Sequence, residues 1–583
     1  RRQAERLAAA WPQARLVGGD GAAEALRAAW ADCSAVVAFL ATGAVVRILA
    51  PLLRGKDTDP AVVVVDEAGR HAVALLGGHA GGANELAAQV SEVLGSRPVI
   101  TTATDAVGVP GLDTLGLPVE GAVAAVSRAI LDGEPVTLEA DATWPLPAFP
   151  PNVTPGPEPT GDLSAGDGTV REAEAAAAAA AAGGEGYRLL VTDRVVPLDD
   201  RTAVLRPPSL IVGVGASRGV SGGEVLGLIR EVLDRAGLSP SSVHCLATAD
   251  VKADEAGILD AARVLGVPVV TRTAAELAAV PVPNPSEVVR GAVGTPSVAE
   301  AAALLTAGDG AAPQGDAGPQ LLAAKTASAM ATVAVARRRP RGRLAVVGLG
   351  PGARDLLTPR AAAELRQASV VVGLDQYVDQ VRDLLRPGTR ILASGLGAEE
   401  ERARTAAELA ASGRAVALIG SGDAGVYAMA SPALEYADAA TDVVGVPGVT
   451  AGLAASALLG APLGHDHAYI SLSDLHTPLP VILRRVRAAA EGDFVVLFYN
   501  PRSRTRDWQL GAALALLAEH RPPQTPVGVV RNASREGEQV RLSTLATFDP
   551  ATVDMYSLVV VGNSQTRIVA GRMVTPRGYR WSS

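Results

Sequence analysis

Leu344-Ala345-Val346-Val347-Gly348-Leu349-Gly350-Pro351-Gly352 runs a short apolar segment straight into a glycine-rich loop. The loop continues to Thr358-Pro359, an N-cap followed by a first helical position. Strand, loop and helix are therefore legible in one pass. The glycine spacing departs from Gly-x-Gly-x-x-Gly, because Pro351 and Gly352 interrupt it and no strand-borne acid follows at the right distance. The loop is read as binding something other than a nicotinamide dinucleotide, which argues against an oxidoreductase.

The same pattern recurs outward in both directions. Residues 35–40, 61–65 and 71–76 are apolar runs. Leu75-Leu76-Gly77-Gly78-His79-Ala80-Gly81-Gly82-Ala83-Asn84-Glu85-Leu86 and Ile211-Val212-Gly213-Val214-Gly215-Ala216-Ser217-Arg218-Gly219 are strand-to-helix loops. So are Ile419-Gly420-Ser421-Gly422-Asp423-Ala424-Gly425-Val426-Tyr427 and Val444-Gly445-Val446-Pro447-Gly448-Val449-Thr450-Ala451. Apolar runs followed by glycine turns and Ala/Leu-rich amphipathic stretches predict βα units with buried parallel strands. The fold class is α/β, multidomain. Ligands in such sheets bind outside the carboxyl ends of the strands, and three glycine loops fall within 344–451. Ser221 and Glu224 predict a capping box, followed by an apolar stripe from Val225 to Leu233 and a stop at Gly237.

The chain has 583 residues, enough for about four domains. Hydrophobic residues make up 48% and charged residues 19%, a globular composition. Aromatics are only 3% and the net charge is −9, which excludes a basic, base-stacking nucleic-acid surface. Two distant cysteines, Cys33 and Cys245, exclude a disulfide scaffold and fit a cytoplasmic protein. The opening Arg1-Arg2-Gln3-Ala4-Glu5-Arg6 is too charged for a targeting core and reads as already helical, so a first β-strand is expected to be absent. No apolar run reaches the roughly 18 residues of a membrane span.

Two stretches break the alternation. Residues 144–186 are Pro-rich and then Gly/Asp/Ala-rich, the composition of a disordered insertion near 150–186. Residues 308–319 form a Gly/Ala/Pro loop, and Arg337-Arg338-Arg339-Pro340-Arg341 is a basic linker. The expected domains are 1–105, 106–207, 208–335 and 343–583, with 336–342 as linker.

Several residues carry chemistry. His79 sits in a four-glycine loop beside a helix start that attracts anions, where it could move a proton. Arg218 on its glycine loop suits a carboxylate or phosphate. Asp250-Val251-Lys252-Ala253-Asp254-Glu255 reads as a capped, solvated first turn or as an acid–base group. His465-Asp466-His467 makes a poor metal site, and no protein metal is expected.

Residues 343–583 resemble the tetrapyrrole methylases, S-adenosyl-L-methionine enzymes of cobalamin biosynthesis, and among them the group that methylates C17 of precorrin-3B. Gly348 to Gly352, Gly422-Asp423-Ala424-Gly425-Val426-Tyr427, Ile470-Ser471-Leu472-Ser473-Asp474-Leu475, Phe498-Tyr499-Asn500-Pro501-Arg502-Ser503-Arg504 and Val561-Gly562-Asn563-Ser564 carry the resemblance. It implies a two-lobed domain and a cofactor site of Gly350, Pro351, Gly422, Asp423, Val426, Tyr427, Thr450, Ala451, Tyr499, Asn500, Asn532 and Ala533. Arg502, Arg504, Arg531 and Arg535 suit the carboxylates of the macrocycle, and Asp474 is the candidate proton shuttle for ring contraction. His476 and Leu479 stand where the family usually shows leucine and tryptophan, which weakens any role for His476. Methylases of this family are commonly dimers, so a homodimer through this domain is expected.

Residues 1–335 resemble the cobalt-precorrin-5A hydrolases. The resemblance rests on the Gly77–Glu85 loop, Gly213-Val214-Gly215 with Arg218-Gly219, Asp250 to Glu255, Val282-Pro283-Asn284-Pro285-Ser286-Glu287, Val293-Gly294-Thr295-Pro296-Ser297-Val298 and Lys325-Thr326. It implies lactone opening with loss of acetaldehyde, with His79, Glu85, Lys252 and Glu255 as catalytic candidates and Lys325 as a carboxylate holder. Cobalt would arrive inside the substrate. The alternatives are methylation of another tetrapyrrole position, and an N-terminal half that binds tetrapyrrole without catalysis.

Overall fold

The computed structural model describes residues 2–578 apart from 12, 19–20, 56–57, 79–81, 102–108, 110, 157–185, 310–318 and 440. It divides into two compact units. One holds Arg1–Thr143, Phe149–Pro340 and Arg386–Gly388; the other holds Trp144–Ala148, Arg341–Leu385 and Thr389–Ser583.

Among its described residues the first unit contains three sheets. The most N-terminal has the order Ala35–Phe39, Ala61–Val65, His71–Leu76, Arg97–Val99. One feature corrects the parallel βα expectation: Ala61–Val65 and His71–Leu76 pair antiparallel, with Val64 opposite Val73. Five intervening residues are too few for a parallel crossover. They make a hairpin turn instead, in which Asp66 accepts from His71 N at 2.7 Å and Gly69 takes φ 68°.

The middle sheet runs Val119–Gly121, Thr202–Leu205, Tyr187–Val191, Val136–Ala140, Val153–Pro155. Its last strand lies inside the Pro-rich stretch. Pro155 is tolerated because the strand is at the edge, where a missing N–H costs no ladder bond. The remainder of the expected insertion, 157–185, lies outside the described residues.

The third sheet runs Val269–Arg272, Val243–Ala249, Leu210–Ala216, Ala331–Arg337, Gln320–Ala327, parallel as far as Leu210–Ala216 and antiparallel beyond. The helix Gly222–Arg235 buries the expected stripe of Val225, Leu228, Ile229, Val232 and Leu233. Ser221 caps it, accepting from Glu224 N at 3.1 Å. The reciprocal half of the box is diverted: Glu224 accepts from Ser328 Oγ at 2.6 Å and Met330 N at 2.7 Å, pinning the last hairpin of the sheet.

The second unit is two-lobed, as expected. Its first sheet is all parallel, in the order Arg390–Ser394, Val370–Leu374, Ala415–Gly420, Gly342–Gly348, Thr441–Val446. Alternate residues face opposite sides. Leu344, Val346 and Leu418 pack with the helix Glu399–Ala411, whereas Ala345, Val347 and Ile419 pack with the helix Pro359–Gln367. Both faces are covered, which is why the strands read as unbroken apolar runs. Thr358 caps the second of these helices as the sequence predicts, accepting from Ala361 N at 3.2 Å. The second sheet runs His467–Ser471, Val495–Tyr499, Ser557–Val561, Pro526–Arg531, Gln539–Thr544, antiparallel after its first pair.

Phe498 is fully buried in the core of that sheet, one residue before Tyr499. Phe498→Ala is expected to cost about 3–5 kcal/mol by urea denaturation, and Phe498→Leu less than half of that, because the residual cavity is smaller.

Candidate functional site

A cavity of about 1630 Å³ lies within the second unit. Residues at the carboxyl ends of strands from both sheets line it: Leu374, Ser394 and Gly420 from the first, Ser471, Tyr499 and Asn532 from the second. Glycines build its floor. Gly350 and Gly422 exchange backbone bonds, Gly350 N to Gly422 O at 3.0 Å and Gly422 N to Gly350 O at 2.7 Å. Gly350 has φ 76°, and a Cβ there would meet Leu356 O at 2.7 Å. A Cβ on Gly448 would meet Gly422 O at 2.1 Å and Gly348 O at 2.7 Å. Three loops thus touch backbone to backbone, which only glycine permits.

Strain concentrates on the wall. Tyr427, Asn500 and Asn532 are non-glycine residues with φ of 52°, 50° and 50°, and all three line the cavity. Such conformations persist where surrounding bonds impose them. Here Tyr427 Oη donates to Tyr469 O at 2.7 Å, and Asn500 Nδ2 donates to Ser471 Oγ at 3.1 Å. Asn532 Nδ2 donates to Glu536 O at 3.2 Å.

Tyr427, Tyr469 and Tyr499 form an aromatic cluster with ring centroids 5.4 and 5.6 Å apart. Tyr499 Oη accepts from Gly452 N and bonds Thr450 Oγ1, each at 2.8 Å, at the start of the helix Ala451–Leu459. Burial raises the pKa of all three phenols. That of Tyr469 is pushed up to about 12, with Tyr499 adding to it. The cluster is neutral at ordinary pH.

Asp423 lines the cavity, yet both carboxylate oxygens already accept backbone N–H groups, from Gly425 at 2.8 Å and Gly448 at 3.0 Å. Its turn role is real, and its remaining lone pairs face further use.

In the first unit, two sequence motifs meet. Glu255 is buried, and its Oε1 accepts from Gly219 N at 2.8 Å. Lys252 Nζ lies 3.9 Å from its Oε2. Arg218, next to Gly219, is exposed. Lys325 belongs to a second group: its Nζ donates to Asn284 O at 2.8 Å, and its N–H donates to fully buried Glu300 at 3.0 Å. Glu85 faces solvent and accepts from Gln89 at 3.1 Å, away from Lys252 in the chain and in a different sheet's environment. His79 lies outside the described residues.

Residues 343–549 match the family model of the Tetrapyrrole (Corrin/Porphyrin) Methylases. The "Probable cobalt-factor III C(17)-methyltransferase" of Salmonella typhimurium is 48% identical over 239 residues, 40% of this chain and 99% of that protein. The chain belongs to the tetrapyrrole methylase family. The "Precorrin-3B C(17)-methyltransferase" of a Sinorhizobium species is 41% identical over 253 residues, 42% of this chain and 99% of that protein. The "Cobalamin biosynthesis protein CobIJ" of Mycobacterium bovis is 46% identical over 248 residues, 41% of this chain, and the match spans only 48% of that longer protein. Ahead of the methylase, residues 24–105 match the model "Cobalamin synthesis G N-terminal" and 210–336 match "Cobalamin synthesis G C-terminus". The recognition of both halves from sequence is borne out.

Within the methylase, Pro351, Gly422, Asp423, Val426, Tyr427, Thr450, Ala451, Tyr499, Asn500, Asn532 and Ala533 all line the one cavity, and Gly350 acts from behind through its backbone bridge. Arg502 and Arg504 also line it, with no ion pair among the described residues. Arg485, on the helix Leu479–Glu491, joins them and was missed, because a lone arginine on a helix carries no sequence signal. Two assignments need correction. Asp474 is not a lining residue; it is exposed and accepts from Gln509 Nε2 at 3.2 Å. Arg531 is taken by Asp554 at 2.8 Å and lies over the Tyr556 ring. Arg535 lines the cavity, with its Nε and Nη2 donating to Pro351 O and Ser421 Oγ. Among the described residues no cluster of three or more His, Cys, Asp or Glu could hold a metal, and no helix is long and apolar enough to cross a membrane.

Two predictions follow from this geometry. Gly448→Ala is expected to lose about 2–3 kcal/mol through backbone overpacking, whereas Gly445→Ala, with open space around it, stays within about 0.5 kcal/mol; thermal denaturation of the two variants checks the contrast. Because the folded pKa of Tyr469 lies above that of an unfolded tyrosine, its stabilising share is present below about pH 10 and is lost as pH rises toward 12. Urea midpoints between pH 8 and 11 are therefore expected to fall less steeply in Tyr469→Phe than in the natural chain.

Proposed function

We propose that the chain carries two activities of cobalamin biosynthesis. The methylase unit transfers a methyl group from S-adenosyl-L-methionine to C17 of precorrin-3B or cobalt-precorrin-3, with ring contraction to the precorrin-4 level. The unit ahead of it hydrolyses cobalt-precorrin-5A to 5B and releases acetaldehyde.

The observation that carries the first reading is the size and lining of the cavity. Its roughly 1630 Å³ exceeds the 300–1,000 Å³ typical of a site for one small ligand, and it is walled by both lobes. That volume supports a cofactor and a macrocycle held together in the one site. The glycine floor leaves backbone surface open, so the residues fit an adenosyl cofactor. Pro351, Asp423, Thr450, Ala451, Asn532 and Ala533 would hold it. The cofactor supplies a methyl group on a sulfonium, which departs as a neutral thioether. Tyr427, Tyr469 and Tyr499 contribute neutral aromatic surface that suits a cation. As un-ionised phenols they do not compete as methyl acceptors. Methyl transfer is an in-line displacement, so orientation by a rigid wall is the main device. Arg485, Arg502 and Arg504 all belong to the second lobe, which supports binding of the polycarboxylate macrocycle on that side.

For the hydrolase, the support is the meeting of Glu255, Lys252 and the Arg218-Gly219 loop. Glu255 is the buried carboxylate able to take a proton from water, Lys252 a cation for a developing oxyanion, and Arg218 an exposed clamp for a substrate carboxylate.

The test is product mass and methyl position after incubation of the full chain with S-adenosyl-L-methionine and trimethylated precorrin, with and without cobalt. Gain of one methyl group at C17 is expected; a gain elsewhere, or none, overturns the reading. Arg502→Ala or Arg504→Ala is expected to raise the tetrapyrrole KM by about 10–100-fold, the loss of one charge-assisted hydrogen bond. Glu255→Gln is expected to cut acetaldehyde release by about 100-fold or more while methyl transfer is unchanged; equal release in both proteins would remove Glu255 from the reaction.

A further inference from the structure

Arg535 lines the cavity with two of its donors already committed to the protein. Its Nε donates to Pro351 O at 2.7 Å and its Nη2 to Ser421 Oγ at 2.7 Å. Both acceptors stand on loops of the first lobe. Arg535 itself belongs to the turn that follows the strand Pro526–Arg531 in the second lobe. Its side chain therefore reaches across the cavity floor.

Gly352 shows that this path is built in. A Cβ on Gly352 would lie 2.5 Å from Arg535 Cγ and 2.9 Å from its Nε, so any other residue would block the guanidinium's route. Gly352 also has φ 144°, a backbone conformation that side chains rarely adopt.

The turn that carries Arg535 is strained. Asn532 and Ser534 have φ of 50° and 60°. Its local bonds are Asn532 Nδ2 to Glu536 O, Ser534 N to Glu538 Oε2 at 2.7 Å and Arg535 N to Asn532 O at 2.9 Å. They set the turn's shape. They lie within the turn, whereas the bonds of Arg535 run from this turn to the first lobe. Asn532 and Ala533, on the same turn, line the cavity together with Pro351 and Ser421.

We propose that Arg535, threaded past Gly352, is a positioning residue that sets the spacing between the two sides of the cofactor cradle. The planar fork matters, because it serves two acceptors at a fixed angle, which a lysine ammonium does not. The inference rests on reading the cavity as the cofactor site.

The experiment uses the full chain with Arg535→Ala, Arg535→Lys, Gly352→Ala and the Gly352→Ala/Arg535→Ala double variant. Calorimetry reads S-adenosylhomocysteine affinity, and hydrogen exchange reads the amides of 532–538 and 351–357. Arg535→Ala is expected to weaken binding at least tenfold and to speed exchange at both segments, with Tm unchanged within about two degrees. Arg535→Lys is expected to recover only part of the affinity. Gly352→Ala is expected to weaken binding comparably, and the double variant to fall short of the product of the two losses, because the obstructed side chain is gone. Binding by Arg535→Ala within twofold of the natural chain, unaltered exchange, or full additivity of the two substitutions overturns the proposal. If the natural chain does not bind S-adenosylhomocysteine, the cofactor reading fails on its own, and the exchange rates alone decide whether Arg535 spaces the two loops.

Discussion

The methylase unit depends on a close approach of backbones. The loops after Gly342–Gly348 and Ala415–Gly420 are joined by the reciprocal bonds of Gly350 and Gly422, and Gly448 packs against both. A parallel sheet leaves its strand ends diverging, and three loops meet there only where no Cβ intervenes. The open floor is the space between them. The glycines are thus the reason a cavity exists at that edge, quite apart from anything that binds in it.

On that floor the wall is held by side chains that cross between lobes. Tyr427 donates to the backbone of Tyr469, Tyr499 bonds Thr450 and Gly452, and Arg535 bonds Pro351 and Ser421. The helix Ala451–Leu459 adds an apolar tie: it follows the first sheet in sequence but buries Ala454, Ala455 and Leu459 against Val495, Leu497 and Val530 of the second. Left-handed residues at Tyr427, Asn500 and Asn532 sit beside these crossings. Local strain is placed where non-local bonds are dense enough to hold it, which gives a rigid wall suited to in-line transfer.

The first unit also buries polar side chains. Glu255 and Glu300 are both buried carboxylates, and both accept backbone N–H groups from distant loops: Gly219 in one case, Asn284 and Lys325 in the other. A carboxylate so placed organises two loops at once, because each oxygen accepts more than one hydrogen bond. In the first case the organised loop is glycine-rich and carries exposed Arg218. Glu255 thereby holds in place the loop that presents Arg218.

The apolar runs, the glycine loops that follow them, the caps at Thr358 and Ser221, the methylase family and the likeness of the stretch ahead of it to the cobalamin synthesis G models were legible in the residues themselves. These features are local: a strand buried on both faces must be apolar throughout, and a loop that touches another backbone must be glycine. The partners of the charged side chains were not legible. Arg535 reaches an acceptor 184 residues away, Glu224 a donor 104 residues away, and Asp474 is drawn aside by Gln509. Which arginines stay available for a carboxylate, and which are spent on holding loops, depends on distances between segments far apart in the chain. Residue type and spacing determined what chemistry this protein could assemble; the tertiary structure alone decided which side chains were left to perform it, because hydrogen bonds and ion pairs form over a few ångströms of space rather than along the sequence.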